Sequence, residues 1–87
     1  MKTFNDLEFV PHSLGMGGVM SRITFENGYG ASVVKTPFTY GGDKGLYELA
    51  VLDSDGNLTY STSITNDVEG HLTEEDVTKL LEQIQQL

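Results

Sequence analysis

The densest group of residues with the types and spacing for chemistry is Asp53, Asp55 and Asn57, in "LDSDGNLTY" (52–60). Carboxylates and a side-chain carbonyl at alternate positions are the donors of a calcium loop. That loop runs D-x-[DN]-x-[DN]-G and closes on a bidentate glutamate at its twelfth place. Counted from Asp53, asparagine falls fifth as it should, but glycine is fourth and Ile64 stands twelfth. Isoleucine cannot ligate, and the flanks alternate as strands where an EF-hand needs helices. The stretch therefore reads as a turn. "DSDG" suits a type I turn with Gly56 in the left-handed region and a G1 bulge, and Asp53 can accept amides across it. In that register Leu52 opposes Leu58, Ala50 opposes Tyr60 and Leu46 opposes Ile64.

Other chemistry is thinner. His12 and His71 are the right types for a ligand pair or an acid–base couple, but they are far apart and no cysteine joins them. A Ser–His–Asp set has no nucleophile-elbow motif behind it. "GMGG" (15–18) and "GGDKG" (41–45) contain glycine, yet neither has the GK[ST] ending of a phosphate loop, and both lead into strands. The sequence thus offers no catalytic, cofactor-binding or metal-binding residues, and reads as a non-enzyme.

The elements around these residues are more legible. "LEFVPHS" (7–13) reads as a first strand, at an edge because Pro11 cannot donate to a ladder. Residues 19–26 alternate, with Val19, Ile23 and Phe25 on one face. "NG" at 27–28 predicts a two-residue type I′ hairpin into a strand at 29–36, which sets Phe25 opposite Gly30. Residues 37–45 carry glycines and a proline and read as a loop that holds two large side chains, Phe38 and Tyr40. Residues 46–52 are apolar at nearly every position, the mark of a central strand covered on both faces. Residues 57–64 alternate as a fifth strand. The end is a helix at about 73–86. Thr73 is its N-cap, Asp76 sits at the third helical position of a capping box, and Leu72 and Val77 form a hydrophobic staple. Val77, Leu80, Leu81, Ile84 and Leu87 make one apolar stripe. The expected fold is α+β: a single domain, 1–87, with an antiparallel meander of four to five strands and one C-terminal amphipathic helix packed on one face.

Composition narrows the function classes. The chain has 87 residues, no cysteine and a net charge of −8. Four acids balance four bases in residues 1–44; residues 45–87 hold nine acids against Lys79 alone, and so carry the whole charge. Direct binding to nucleic acid or to an anionic membrane needs clustered Lys and Arg, and neither is expected. No apolar run reaches the ~20 residues of a membrane span. The opening "MKTFNDLEF" lacks the apolar core of a signal peptide, so a cytoplasmic location is expected.

One helix covers one face of such a sheet, yet the central strand is apolar on both: Leu46, Ala50 and Leu52 on one side, Tyr47, Leu49 and Val51 on the other. The second face therefore needs the 37–45 loop, a second copy or a partner to cover it. The candidate contact residues are Phe38 and Tyr40 on the loop, with Tyr47, Leu49 and Val51 on the strand. The expected function is binding to another protein or self-association. The alternative is an acidic decoy that imitates nucleic acid and occupies a protein that binds DNA or RNA.

"FENGYGASVV", "TPFTYGGDKGLYELAVLDSDGNLTY" and "ITNDVEGHLTEEDVTKLLEQI" together resemble small acidic proteins encoded in phage and prophage genomes, over roughly residues 20 to 86. The resemblance implies a context and not a mechanism: an accessory protein in the host cytosol whose partner is a host protein. It brings no catalytic or binding residues with it.

Overall fold

A computed structural model describes residues 1–11, 17–37, 39, 42–59 and 69–87. Five antiparallel strands form one open sheet in sequence order: β1 (Val10–Pro11), β2 (Val19–Thr24), β3 (Gly30–Lys35), β4 (Tyr47–Leu52) and β5 (Glu69–Leu72). One helix, α1 (Glu74–Gln85), packs on the sheet. The class is the α+β meander that the alternation predicts.

Strand pairing follows from that alternation. Met20 pairs with Val34 and Ser21 with Val33; Val33 in turn pairs with Leu49 and Ala31 with Val51. Ala31, Val33, Leu49 and Val51 therefore share a face, and α1 lays Val77, Leu81 and Ile84 on it; all seven are buried. Burying each of the valines, leucines and the isoleucine among them contributes roughly 1.5–3 kcal/mol. Leu80 is half-buried and Leu87 lies exposed, so the apolar stripe of α1 is narrower than its spacing implies.

The helix begins as predicted. The Asp76 amide donates to Thr73 Oγ1 at 3.1 Å, and the Thr73 amide donates back to Asp76 Oδ2 at 3.1 Å. Leu72 and Val77, the staple, both lie in the core.

Three details differ from the sequence reading. Of residues 7–11, only Val10 and Pro11 are strand; Phe4–Asp6 instead form a 3-10 turn against α1, with the Phe4 amide donating to Thr78 Oγ1 at 3.0 Å. The hairpin at 25–29 is a three-residue loop. Gly28 N donates to the Phe25 carbonyl at 3.1 Å and Phe25 N to the Tyr29 carbonyl at 2.8 Å. Gly28 alone takes positive φ there, +91°, so Thr24 and not Phe25 faces Gly30. This is a type I turn with a G1 bulge.

The third difference concerns the far edge of β4. The Asp53–Asn57 turn is the predicted one: Gly56 has φ +82°, Asp53 Oδ1 accepts from the amides of Asp55 and Asn57 at 2.9 and 3.0 Å, and Leu52 bridges Leu58. The Ala50–Tyr60 and Leu46–Ile64 pairings, and residues 60–64 of the expected fifth strand, lie outside the described residues. Along β4, however, Leu72 sits opposite Tyr47 and Glu69 opposite Leu49. The strand that pairs there is 69–72. Gly70 and His71 together face Glu48 alone, a β-bulge, and His71 takes φ +56°. The extra residue puts Leu72 on the core side, where an unbulged register would put His71.

Candidate functional site

The predicted contact residues separate into three environments. Leu49 and Val51 are 0% and 1% exposed beneath α1. The protein's own helix takes the face they occupy, so neither can meet a partner. Tyr47, on the same side of β4, is half-buried in an aromatic cluster. Its ring centroid lies 5.2 Å from that of Phe4, at 66°, and 5.6 Å from that of Phe9. Lys35 Nζ stands 5.0 Å over the Tyr47 ring, a cation–π contact. Phe38 and Tyr40 lie outside the described residues. Around them, Thr39 N donates to the Thr36 carbonyl, Gly42 N to the Thr39 carbonyl and Gly45 N to the Gly42 carbonyl. Gly42–Lys44 form a short 3-10 turn where no regular element was expected.

The face away from α1 is not bare. Ala50 and Leu52, which point there, are 7% and 4% exposed within the single chain, so this part of the face is already covered. The part left open runs across the other edge of the sheet. Val10 pairs with Met20 and Met20 with Val34, so these three side chains form one row over β1, β2 and β3. Val10 is 53% exposed, and Met20 and Val34 are half-buried. Arg22 and Ser32 form the next row. This apolar row, flanked by an exposed Arg22, is the candidate contact surface. Sequence reasoning placed Val10 and Met20 in strands but missed the row, because the register that lines Val10 up with Met20 and Val34 is not written locally.

A cleft of about 490 Å³ opens beside the end of α1, lined by Lys2, Asp6, Glu26, Asn27 and Gln85 among others. Both amides on its wall are already engaged. Gln85 Nε2 donates to the Lys2 carbonyl and its Oε1 accepts from Lys2 N, both at 2.8 Å. Asn27 Nδ2 donates to the Ile84 carbonyl at 2.8 Å and to the Leu87 carbonyl at 3.4 Å, while its Oδ1 accepts from Tyr29 N at 3.1 Å. These two side chains serve the fold. Among the described residues, no three His, Cys, Asp or Glu side chains gather as metal ligands. His71 is exposed on β5, and His12 lies outside the described residues.

The acidic surface centres on α1. Glu74 and Glu75 are exposed in its first turn, and the Asp76 carboxyl beside them is held below its ordinary pKa first by the Thr73 backbone amide and then by the Thr73 side chain. Lys79 Nζ lies 3.5 Å from Glu75 Oε1, an exposed pair one helical turn apart. Among the described residues, no helix is long and apolar enough to cross a membrane.

No protein-family model, curated protein or solved structure matches this chain.

Proposed function

We propose that this is a small, non-catalytic accessory protein of phage type that binds a host protein in the cytosol or associates with a second copy of itself. The observation that carries this reading is the row Val10–Met20–Val34. A small domain exposes apolar side chains singly as a matter of course, but three in register across neighbouring strands make a surface that gains from being covered. Phe38 and Tyr40, close in sequence to the end of β3, belong to the same proposal as loop contacts.

The test compares the native chain with a Met20→Asp/Val34→Asp double variant and a Phe38→Ala/Tyr40→Ala variant. Each is tagged, exposed to nuclease-treated host lysate and eluted stepwise in salt, and each is also sedimented alone over a concentration series. One stoichiometric protein or a concentration-dependent dimer, lost in the first variant while the fold persists, supports the reading. Binding unchanged in both variants overturns it.

A second reading rests on the helix surface, where Glu74 and Glu75 stand exposed and the nearby Lys79 is paired to Glu75. A row of acids on a rigid helix can imitate phosphates and decoy a nucleic-acid-binding protein. That contact weakens steeply with salt and with Glu74→Gln/Glu75→Gln, whereas an apolar contact responds to neither.

A further inference from the structure

We propose that Asn27–Gly28 is a deamidation site gated by the C-terminal helix: release of the helix end frees Asn27 to react, and the acid that forms bars the helix end from returning. The inference is independent of any partner.

The reaction needs only water. The Gly28 backbone nitrogen gives its proton to solvent hydroxide and attacks Asn27 Cγ. A nitrogen–carbon bond forms, the side-chain carbon–nitrogen bond breaks, and the amide nitrogen takes a proton from water and leaves as ammonia, which returns the hydroxide. The five-membered imide then adds water at either carbonyl and opens to aspartate or isoaspartate. Glycine is the residue least able to hinder ring closure, because it has no side chain beside the attacking nitrogen and tolerates the backbone rotation required. Asn27 is exposed and sits at the tip of a tight hairpin.

The docked helix restrains both reacting groups. Asn27 Nδ2, the leaving group, is held by the Ile84 and Leu87 carbonyls, and Asn27 Oδ1 accepts from Tyr29 N. Gly28 N spends its proton on the Phe25 carbonyl. Closing the imide ring breaks these bonds together, so reaction proceeds through the fraction of molecules whose helix end has opened. Gln85, clasped to Lys2 in both directions, fastens the same end of α1 and so sets that fraction.

The product changes the interaction's sign. A carboxylate at position 27 has no hydrogen to give and faces a carbonyl oxygen now 2.8 Å from the amide nitrogen, at the negative end of the helix dipole. Isoaspartate also lengthens the backbone of a loop whose register is set by the Phe25 N to Tyr29 carbonyl bond. Either product disfavours redocking.

The test incubates the full chain at mildly alkaline pH and maps the amide-to-acid mass change by peptide. Native protein is compared with Gln85→Ala and with native protein in denaturant. Deamidation at Asn27 is expected to be about tenfold or more faster in denaturant than in the native fold, with Gln85→Ala between the two. Equal rates in all three, or no reaction even in denaturant, overturns the gate. The deamidated product, separated by its added negative charge, and the Asn27→Asp variant are then compared with native protein by hydrogen exchange. Faster exchange at residues 82–87 in the isolated product is expected, and unchanged protection there overturns the second half of the proposal.

Discussion

The side-chain amide of Asn27 and the backbone carbonyl of Ile84 meet at 2.8 Å across 57 residues of sequence. This contact reinforces the helix end, where the Gln86 and Leu87 amides also donate to the Gln83 and Ile84 carbonyls. The last turn of α1 has no basic residue, and its C-cap is Gln86, not the glycine that usually closes a helix end. The orphan carbonyls of a helix need donors from somewhere, and a hairpin tip supplies one here.

Replacement of Asn27 by alanine removes that donor and leaves the Ile84 carbonyl only the Leu87 amide, at 3.2 Å. We expect a loss of about 1–2 kcal/mol, the cost of an unmade, part-buried hydrogen bond. Asn27→Asp should cost more than Asn27→Ala, because it adds repulsion to the loss. Urea unfolding of the three proteins checks the order; equal midpoints for alanine and native would remove the clamp from the account.

Gly30 is required for a different reason. A Cβ built on it would lie 2.4 Å from the backbone carbonyl oxygen of Ile23 in the neighbouring strand. Backbone cannot yield as a side-chain tip does, so Gly30→Ala should destabilise by about 1–3 kcal/mol, as overpacking does. The thermal midpoint is the readout.

The capping box makes stability depend on acid. Asp76 is held below its ordinary value of 3.8, first by the Thr73 backbone amide and then by the Thr73 side chain. A carboxyl depressed in the folded state adds stability that is fully present above its unfolded pKa and is lost as pH falls through the folded one. The native protein should therefore lose stability as pH drops below about 3.8. Asp76→Asn should flatten that part of the stability–pH curve. A slope identical in native and variant would show that other carboxyls carry it.

His71 occupies the left-handed region, at φ +56°, inside the bulge that sets Leu72 in the core. A β-branched residue is far less at ease there than histidine, so His71→Val should cost about 1–3 kcal/mol, whereas His71→Gly should fold at least as well on backbone grounds. Denaturant midpoints of both variants decide; a neutral His71→Val would mean that the bulge relaxes.

Calcium gives a simpler check on the Asp53 loop. Asp53 Oδ1 already accepts two backbone amides, so added calcium should leave the melting temperature unchanged. Asp53→Ala should lower stability by about 1–2 kcal/mol, and Asp53→Asn, which keeps the acceptor, by less.

What the sequence announced and what it hid divide by range. Thr73 with Asp76, and Asp53 with Gly56, act within a few residues, so their roles are written locally. The register of β2 on β3 was not. "NG" alone favours a two-residue turn, but the Asn27 side chain is drawn to a helix end that a local reading does not see. β5 was missed because "EGHL" holds a glycine and a bulged histidine where a strand would alternate. Leu49 and Val51 were mistaken for contact residues for a plainer reason. A strand apolar on both faces does not say which face its own helix will choose.

The Gln85 amide pairs with Lys2 as a neighbouring peptide group would, donating and accepting at 2.8 Å each way. Residues 83 positions apart are thereby stitched together, and the backbone runs almost as a closed circle. A short linker could join residues 87 and 1 with little strain, and the circle could be cut at the exposed Ser54–Asp55 turn. Such a circular permutant would keep β1 through β5 and α1 in the same neighbourhoods while changing which of them is made first.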